Sequence, residues 1–224
     1  MNVVKLFSIS QSMSSINRYS QINLLHPESV LEHTAFVCLF TYMVCEKINS
    51  KCPGKVDIGE ALKKATLHDI DEVITGDIPR PTKYFSNDSK EIFDKIASNG
   101  INQIVKELEL NDQESSTRIK DIWKSSKDGL DGKIVALSDL AAVVYKIWEE
   151  VCLLNNKKLV LQGKQVYGYI EEFSYELEKS DLSSDQKLIF DDIVSQLLNI
   201  AFEIKQMDDP MIGTLASLQN SEKA

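Results

Sequence analysis

The chain has 224 residues, with 25 Lys and Arg against 34 Asp and Glu, a formal charge of −9 and three histidines. That length lets one domain, or at most two, bury a sizeable core without disulfides or metals to hold it together. Hydrophobic residues at 43% and charged residues at 26% describe an ordinary globular protein. The acidic balance argues against a polynucleotide partner, because a phosphate backbone is bound by clustered Lys and Arg. A small phosphorylated ligand held by one metal and one arginine remains compatible with it.

Residues 33–45 form the longest apolar run free of Asp, Glu, Lys and Arg, well short of the roughly 20 residues that span a bilayer. A buried core helix is expected there, and no membrane partner. The segment MNVVKLFSISQ lacks a sustained apolar stretch followed by a small-residue cleavage site, so no signal peptide is expected. Cys38, Cys45, Cys52 and Cys152 contain no CxxC pair, and the first two lie seven apart on one helix face. Four reduced thiols in a cytoplasmic protein are expected.

Helical periodicity dominates and strand-like alternation is nearly absent. The first helix is expected before Asn17, and the second from Pro27 or Glu28 to Asn49, stopped by Cys52, Pro53 and Gly54. A third opens near Asp57, which can cap it, and ends at Thr75 and Gly76, where glycine supplies positive φ. Residues 77–81, DIPRP, predict an extended loop, because the residue before a proline is pushed out of the α region. Further helices are expected over 87–109, 112–126, 130–155, 163–178 and 183–207, and a flexible tail over 208–224. With no repeat, low-complexity block or linker, the expectation is a single all-α domain over residues 1–207.

His68 and Asp69 are adjacent near the end of the third helix, with Glu72 one turn later. His33 has Val30, Phe36 and Val37 as one-turn neighbours, so its imidazole is expected to be buried and to need a partner. Asp139 lies among Val135, Ala136, Ala142 and Val143, a setting that costs a carboxylate several kcal/mol unless it meets a cation or good donors. Two imidazoles and two carboxylates from three helices make a mixed nitrogen and oxygen site for a divalent transition metal. Such an ion acidifies water toward neutral pH and offsets charge on a phosphoryl group. Glu72 is placed to shuttle the proton. Taken singly, each residue has a plainer explanation: His33 as a satisfied core histidine, His68 and Asp69 as a helix-end dipeptide, Asp139 as a partner of Lys133 or another base.

Read together, a lone His, then His-Asp, then a distant Asp resembles the ligand pattern of the HD-domain phosphohydrolases. INRYS (16–20), ESVLEH (28–33), LHDIDEVITGDIPRPTKY (67–84) and LSDL (137–140) are more narrowly similar to the bacterial HD-domain 5′-deoxynucleotidases. The resemblance is close over residues 16–84, looser to about 155, and carries no motif beyond. It implies an HD-domain helical bundle that removes the 5′-phosphate from deoxyribonucleoside monophosphates, works as a homodimer and uses one divalent ion such as cobalt, manganese or zinc. His33, His68, Asp69 and Asp139 would be the metal ligands, with His33, Asp69 and Asp139 also bordering the substrate. Glu72 matches the catalytic carboxylate, and Arg18 matches the arginine that orients the phosphate and assists catalysis, a task suited to a planar, permanently charged donor. Tyr19 would contact the sugar, and Asp77, Ile78, Pro79 and Arg80 match the substrate-binding loop.

Two positions depart from the family pattern. Tyr19 stands where the family has tryptophan, which bears on how strictly ribose is excluded. Arg80 stands where a small hydroxyl residue is usual, and a second cation there would favour a longer polyphosphate. The alternatives are therefore an HD-type dNTP triphosphohydrolase and, in another class, a nucleotide-binding protein with a silent site. Alarmone hydrolysis and cyclic dinucleotide cleavage fit less well: the Glu-Asp pair of the first is Glu72-Val73 here, and the Gly-Tyr-Pro signature of the second is absent.

Overall fold

A computed structural model describes residues 1–52, 56–110 and 112–207. The expected tail over 208–224, and Pro53 and Gly54 as helix stops, lie outside the described residues. No strand occurs among those described, where only an isolated antiparallel bridge joins Asn17 to Ser29. The residues cluster into two compact units, one of Met1–Ser20 with Pro27–Ser138, the other of Gln21–His26 with the chain from Asp139 onward. No described helix is long and apolar enough to cross a membrane.

In the first unit, α1 (Val3–Ser15) is capped by Asn2, whose side chain accepts the Lys5 N–H, and it buries Ile9 and Met13 one turn apart. Helix α2 (Val30–Lys51) starts later than expected. Ser29 and Glu32 form a capping box there, each side chain satisfying the other's backbone N–H. Thr34, Val37, Thr41, Val44, Cys45 and Ile48 make its buried stripe at helical spacing. The expectation of a wholly buried helix is corrected on the opposite face, where Leu39, Tyr42 and Met43 are exposed.

The expected helix over 57–75 is broken in two. Asp57 caps α3 (Ile58–Leu67), the chain turns through His68–Asp71, and α4 (Glu72–Thr75) ends at Gly76 with φ 70°. The DIPRP segment is extended only as far as Pro79; Arg80–Lys83 form one helical turn, α5. Proline is tolerated in the first turn of a helix, where no N–H partner is lost, so Pro81 does not prevent it. Helices α6 (Asn87–Glu107) and α7 (Gln113–Lys124) are capped by Ser86 and Asp112. Ile9, Met13, Val30, Ile101, Ile104, Val105 and Leu108 form a core from α1, α2 and α6, with Ile70, Val73 and Trp123 packed on it. Each such side chain, fully buried, contributes roughly 1.5–3 kcal/mol.

Helix α8 spans Gly129–Trp148. It continues as a π turn over Glu149–Leu153, followed by a 3-10 turn over Lys157–Leu159. An antiparallel pair, α9 (Val160–Glu178) and α10 (Ser184–Lys205), completes the second unit. Their crossing is so close that a Cβ on Gly163 would stand 2.3 Å from Ile204 Cγ2. Lys146 and Glu150, both buried, anchor the 21–26 segment to this unit: Glu150 accepts the Leu25 and His26 N–H groups at 2.9 and 2.7 Å, and Lys146 donates to the His26 carbonyl. His26, for which the sequence offers no role, thus takes part in this anchor, with Nδ1 2.9 Å from Glu149 Oε1. All four cysteines are free, as expected, and burial pushes the Cys45 thiol up to about 12.

Candidate metal centre and active site

Helix α2 carries His33 inward one turn from its start, fully buried. His68 caps the C-terminal end of α3, where its Nδ1 lies 2.7 Å from the Ala65 carbonyl oxygen. A carbonyl only accepts, so Nδ1 carries the proton, and in the neutral ring Nε2 is then left with its lone pair, the tautomer a metal ligand requires. Asp69 Oδ2 is the point on which the groups converge: it lies 3.1 Å from His68 Nε2, 3.6 Å from His33 Nε2 and 3.4 Å from Arg18 Nη1. The two imidazole centroids are 5.5 Å apart. Two buried imidazoles and a carboxylate on one small volume fit a divalent transition ion by the chemistry of the donors.

The break between α3 and α4 makes this possible. A continuous helix would rotate each successive side chain by a fixed step, whereas the turn, held by Glu72 N–H to Asp69 O at 3.1 Å, sets Asp69 and Glu72 independently of α3. Burial, and then the nearby Asp69 charge, push the Glu72 carboxyl up to about 10, against the opposing pull of Arg18. Glu72 Oε2 is buried and makes no hydrogen bond. A small polar cavity lies beside it, lined by Asp71, Thr75, Ile78 and Lys83 among others.

Arg18 sits between two carboxylates, its Nε 3.4 Å from Glu28 Oε2 and its Nη1 on Asp69. Tyr19 has a left-handed backbone, φ 56°, unusual for a side chain with a Cβ. Its N–H donates to Asp77 Oδ2 at 2.8 Å, and burial raises its phenol well above the usual range. Asp77 therefore braces the turn that presents Arg18 and Tyr19. Ile78 and Pro79 follow, half-buried, but Arg80 is exposed with its guanidinium carbon 5.0 Å from the Tyr84 ring centroid. Asp139 is half-buried on α8, the residue after Ser138, whose hydroxyl accepts from Thr41 Oγ1 of α2 at 3.0 Å.

Two residues of the site have no role in the sequence analysis. Glu28 belongs to the ESVLEH motif and pairs with Arg18. Asp71, buried between Asp69 and Glu72, accepts the Trp123 indole N–H at 2.9 Å and so ties the turn to α7. The Ser-x-x-Glu pattern after Glu28 was a signal for where α2 begins; no local pattern announces a bond across 52 positions.

The family model described as 5′-deoxynucleotidase YfbR-like matches residues 5–181. The 5′-deoxynucleotidase YfbR of Salmonella typhi is 26% identical over 198 residues, covering 81% of this chain and 97% of that protein. An HD-domain phosphohydrolase of Listeria innocua superposes with a TM-score of 0.62 at 20% identity, over 91% of this chain and 98% of that one. The cyanophage S-2L HD phosphohydrolase DatZ, solved bound to dA and one catalytic Zn2+ ion, superposes with a TM-score of 0.59 at 16% identity, over 88% of this chain and 96% of that one. The structural likenesses show the all-α HD fold, and the match over most of the chain shows the rest: this chain belongs to the YfbR-like 5′-deoxynucleotidase family.

Proposed function

We propose that the chain is a metal-dependent phosphoric monoester hydrolase that converts deoxyribonucleoside 5′-monophosphates and water to deoxynucleosides and phosphate. The observation that carries it is the convergence of His33, His68 and Arg18 on Asp69 Oδ2 within 3.6 Å. It puts donors for a cation and a fixed positive charge for a phosphate side by side. Membership of the deoxynucleotidase family supports the reaction, and dA with Zn2+ in DatZ supports a deoxynucleoside and a divalent ion together.

His33, His68, Asp69 and Asp139 would hold the ion, the first three of them gathered within the first unit. When bound, it supplies Lewis acidity, offsetting phosphoryl charge and acidifying water. Cobalt, manganese and zinc all suit mixed imidazole and carboxylate donors. Arg18 binds and orients the phosphate, with His33, Asp69 and Asp139 bordering it. Glu72 holds a proton on a buried carboxyl and moves it between water and the leaving sugar oxygen. Tyr19 packs its ring against the sugar, and Asp77, Ile78 and Pro79 shape the wall of the binding loop. Residues 1–207 act as one HD domain, supported by a family match over 5–181 that takes in residues of both units. The enzyme works as a homodimer through the outward face of α2, where Leu39, Tyr42 and Met43 are exposed, and resides in the cytoplasm, in keeping with four free thiols.

The triphosphohydrolase alternative rests on Arg80, which is exposed and lies against Tyr84, so nothing favours it. A silent site is disfavoured by the presence of every proposed ligand and of Glu72. A panel of dNMPs, NMPs and dNTPs with added cobalt or manganese tests the reading. Release of inorganic phosphate from dNMPs is expected, whereas release of tripolyphosphate from dNTPs alone would overturn it.

A further inference from the structure

We propose that Glu28 is a positioning residue for Arg18, fixing the plane of the guanidinium so that it meets the substrate phosphate; this rests on the deoxynucleotidase reading above. Glu28 engages Arg18 at two points. Its carbonyl oxygen accepts the Arg18 backbone N–H at 2.8 Å, and its Oε2 lies 3.4 Å from Arg18 Nε. Both side chains are largely buried, at 10% exposure for Arg18 and 16% for Glu28. A guanidinium is a rigid planar fork of donors, so a partner at the Nε edge sets the rotation of the whole plane. The edge bearing Nη1 then faces Asp69.

The backbone around this pair is equally fixed. The Asn17–Ser29 bridge is flanked by Val30 N–H to Ile16 O at 3.0 Å and by the Arg18 to Glu28 bond. Helix α2 starts at Val30 and carries His33 in its first turn. One short ladder therefore registers the phosphate-binding arginine to a metal-ligating histidine. A carboxylate so near an anion site repels the phosphate, and its presence is accounted for if the orientation it gives Arg18 outweighs that repulsion.

The test compares the wild type, Glu28→Ala, Glu28→Gln, Arg18→Ala and the Arg18→Ala, Glu28→Ala double variant, each as the metal-loaded full chain. Calorimetry with inorganic phosphate gives Kd, and steady-state assays with a dNMP give KM and kcat. Glu28→Ala is expected to weaken phosphate and raise KM about tenfold, with kcat changed less than about threefold and metal content unchanged, because the largely buried ion pair that orients the binding group is lost. Glu28→Gln, which keeps an acceptor without the charge, is expected to lose about threefold. In the Arg18→Ala background the Glu28 change should have no further effect. Unchanged or tighter phosphate binding in Glu28→Ala, or an equal loss in the Arg18→Ala background, overturns the proposal. Should Glu28→Ala fail to fold, the glutamine variant decides, and wild-type affinity for phosphate in it is the overturning result. A wild type that binds phosphate but turns over no dNMP would refute the functional reading while leaving these binding comparisons valid.

Discussion

Asp77 Oδ2 accepts the backbone N–H of Tyr19 at 2.8 Å, and it does so where Tyr19 holds a φ of 56°. A left-handed conformation costs a residue with a Cβ roughly 1–2 kcal/mol, and a hydrogen bond to a charged acceptor contributes about 1.5–3 kcal/mol. The bond is thus of the right size to hold the turn. Expected of Asp77→Ala is a fall in kcat/KM for a dNMP of about tenfold to a hundredfold, since Arg18 and Tyr19 lose their brace. Asp77→Asn, which retains an acceptor, should keep most of the activity. Steady-state kinetics on both variants, beside thermal melts to exclude unfolding, measure it. Equal losses in the two would place the carboxylate's charge, not the bond, at the centre.

Glu72 gives a pH dependence whose sign can be worked out. Its carboxyl is raised to about 10 by burial and by Asp69, so the metal-free folded state holds a proton that the unfolded state releases near 4.5. Unfolding free energy therefore falls as pH rises from about 4.5 toward about 10. Glu72→Gln removes that slope. Denaturant titrations of chelated protein at pH 5 and pH 8 should show little difference between wild type and Glu72→Gln at the lower pH, and a more stable variant at the higher. The same variant should bind metal yet lose about a hundredfold or more in kcat, the scale of general acid/base catalysis. Loss of metal in Glu72→Gln would show that its carboxylate is a ligand.

In the second unit, Lys146 Nζ lies 3.5 Å from Glu150 Oε1, and both are buried. Burial opposes the Glu150 charge, but hydrogen bonds from Asn156 and from the Leu25 and His26 backbone win, and hold its carboxyl below the usual range. Its contribution is therefore present above the ordinary glutamate value near 4.5 and is lost as pH falls through the folded value. Glu150→Ala leaves Lys146 its 2.7 Å ion pair with Glu149 but strips the Leu25 and His26 N–H groups of their acceptor, so it should cost about 1–3 kcal/mol for each donor left unpaired. Glu150→Gln, which keeps an acceptor oxygen for these groups, should cost less. Chemical denaturation of the three proteins decides it, and a Glu150→Ala protein as stable as wild type would show these donors to be solvated.

How much of this was legible in the chain depends on the kind of order involved. His33 and Asp139 stood out because a titratable side chain among apolar one-turn neighbours violates the periodicity of a buried helix face. His68, Asp69 and Glu72 were visible as a motif, but the break that aims them was not, since residues 57–75 read as one amphipathic stretch and the turn through Asp71 is held from outside it, by Trp123. The helical turn of Arg80–Lys83 was obscured because Pro81, which usually ends helices, sits in the first turn where it is tolerated. The roles of Glu28 and Asp77 depend on partners 10 and 58 positions away, in a ladder and a turn without periodicity. Such contacts leave no pattern in a single sequence.

The most direct test of a metal-dependent 5′-deoxynucleotidase is phosphate release from a dNMP by chelated protein as one divalent ion is titrated back. Chelated protein should be inactive, and activity should rise to a plateau at one ion per chain, with Asp69→Ala failing to recover at any ion concentration. Turnover undiminished by complete removal of metal, or no phosphate release with any of cobalt, manganese or zinc, would contradict it.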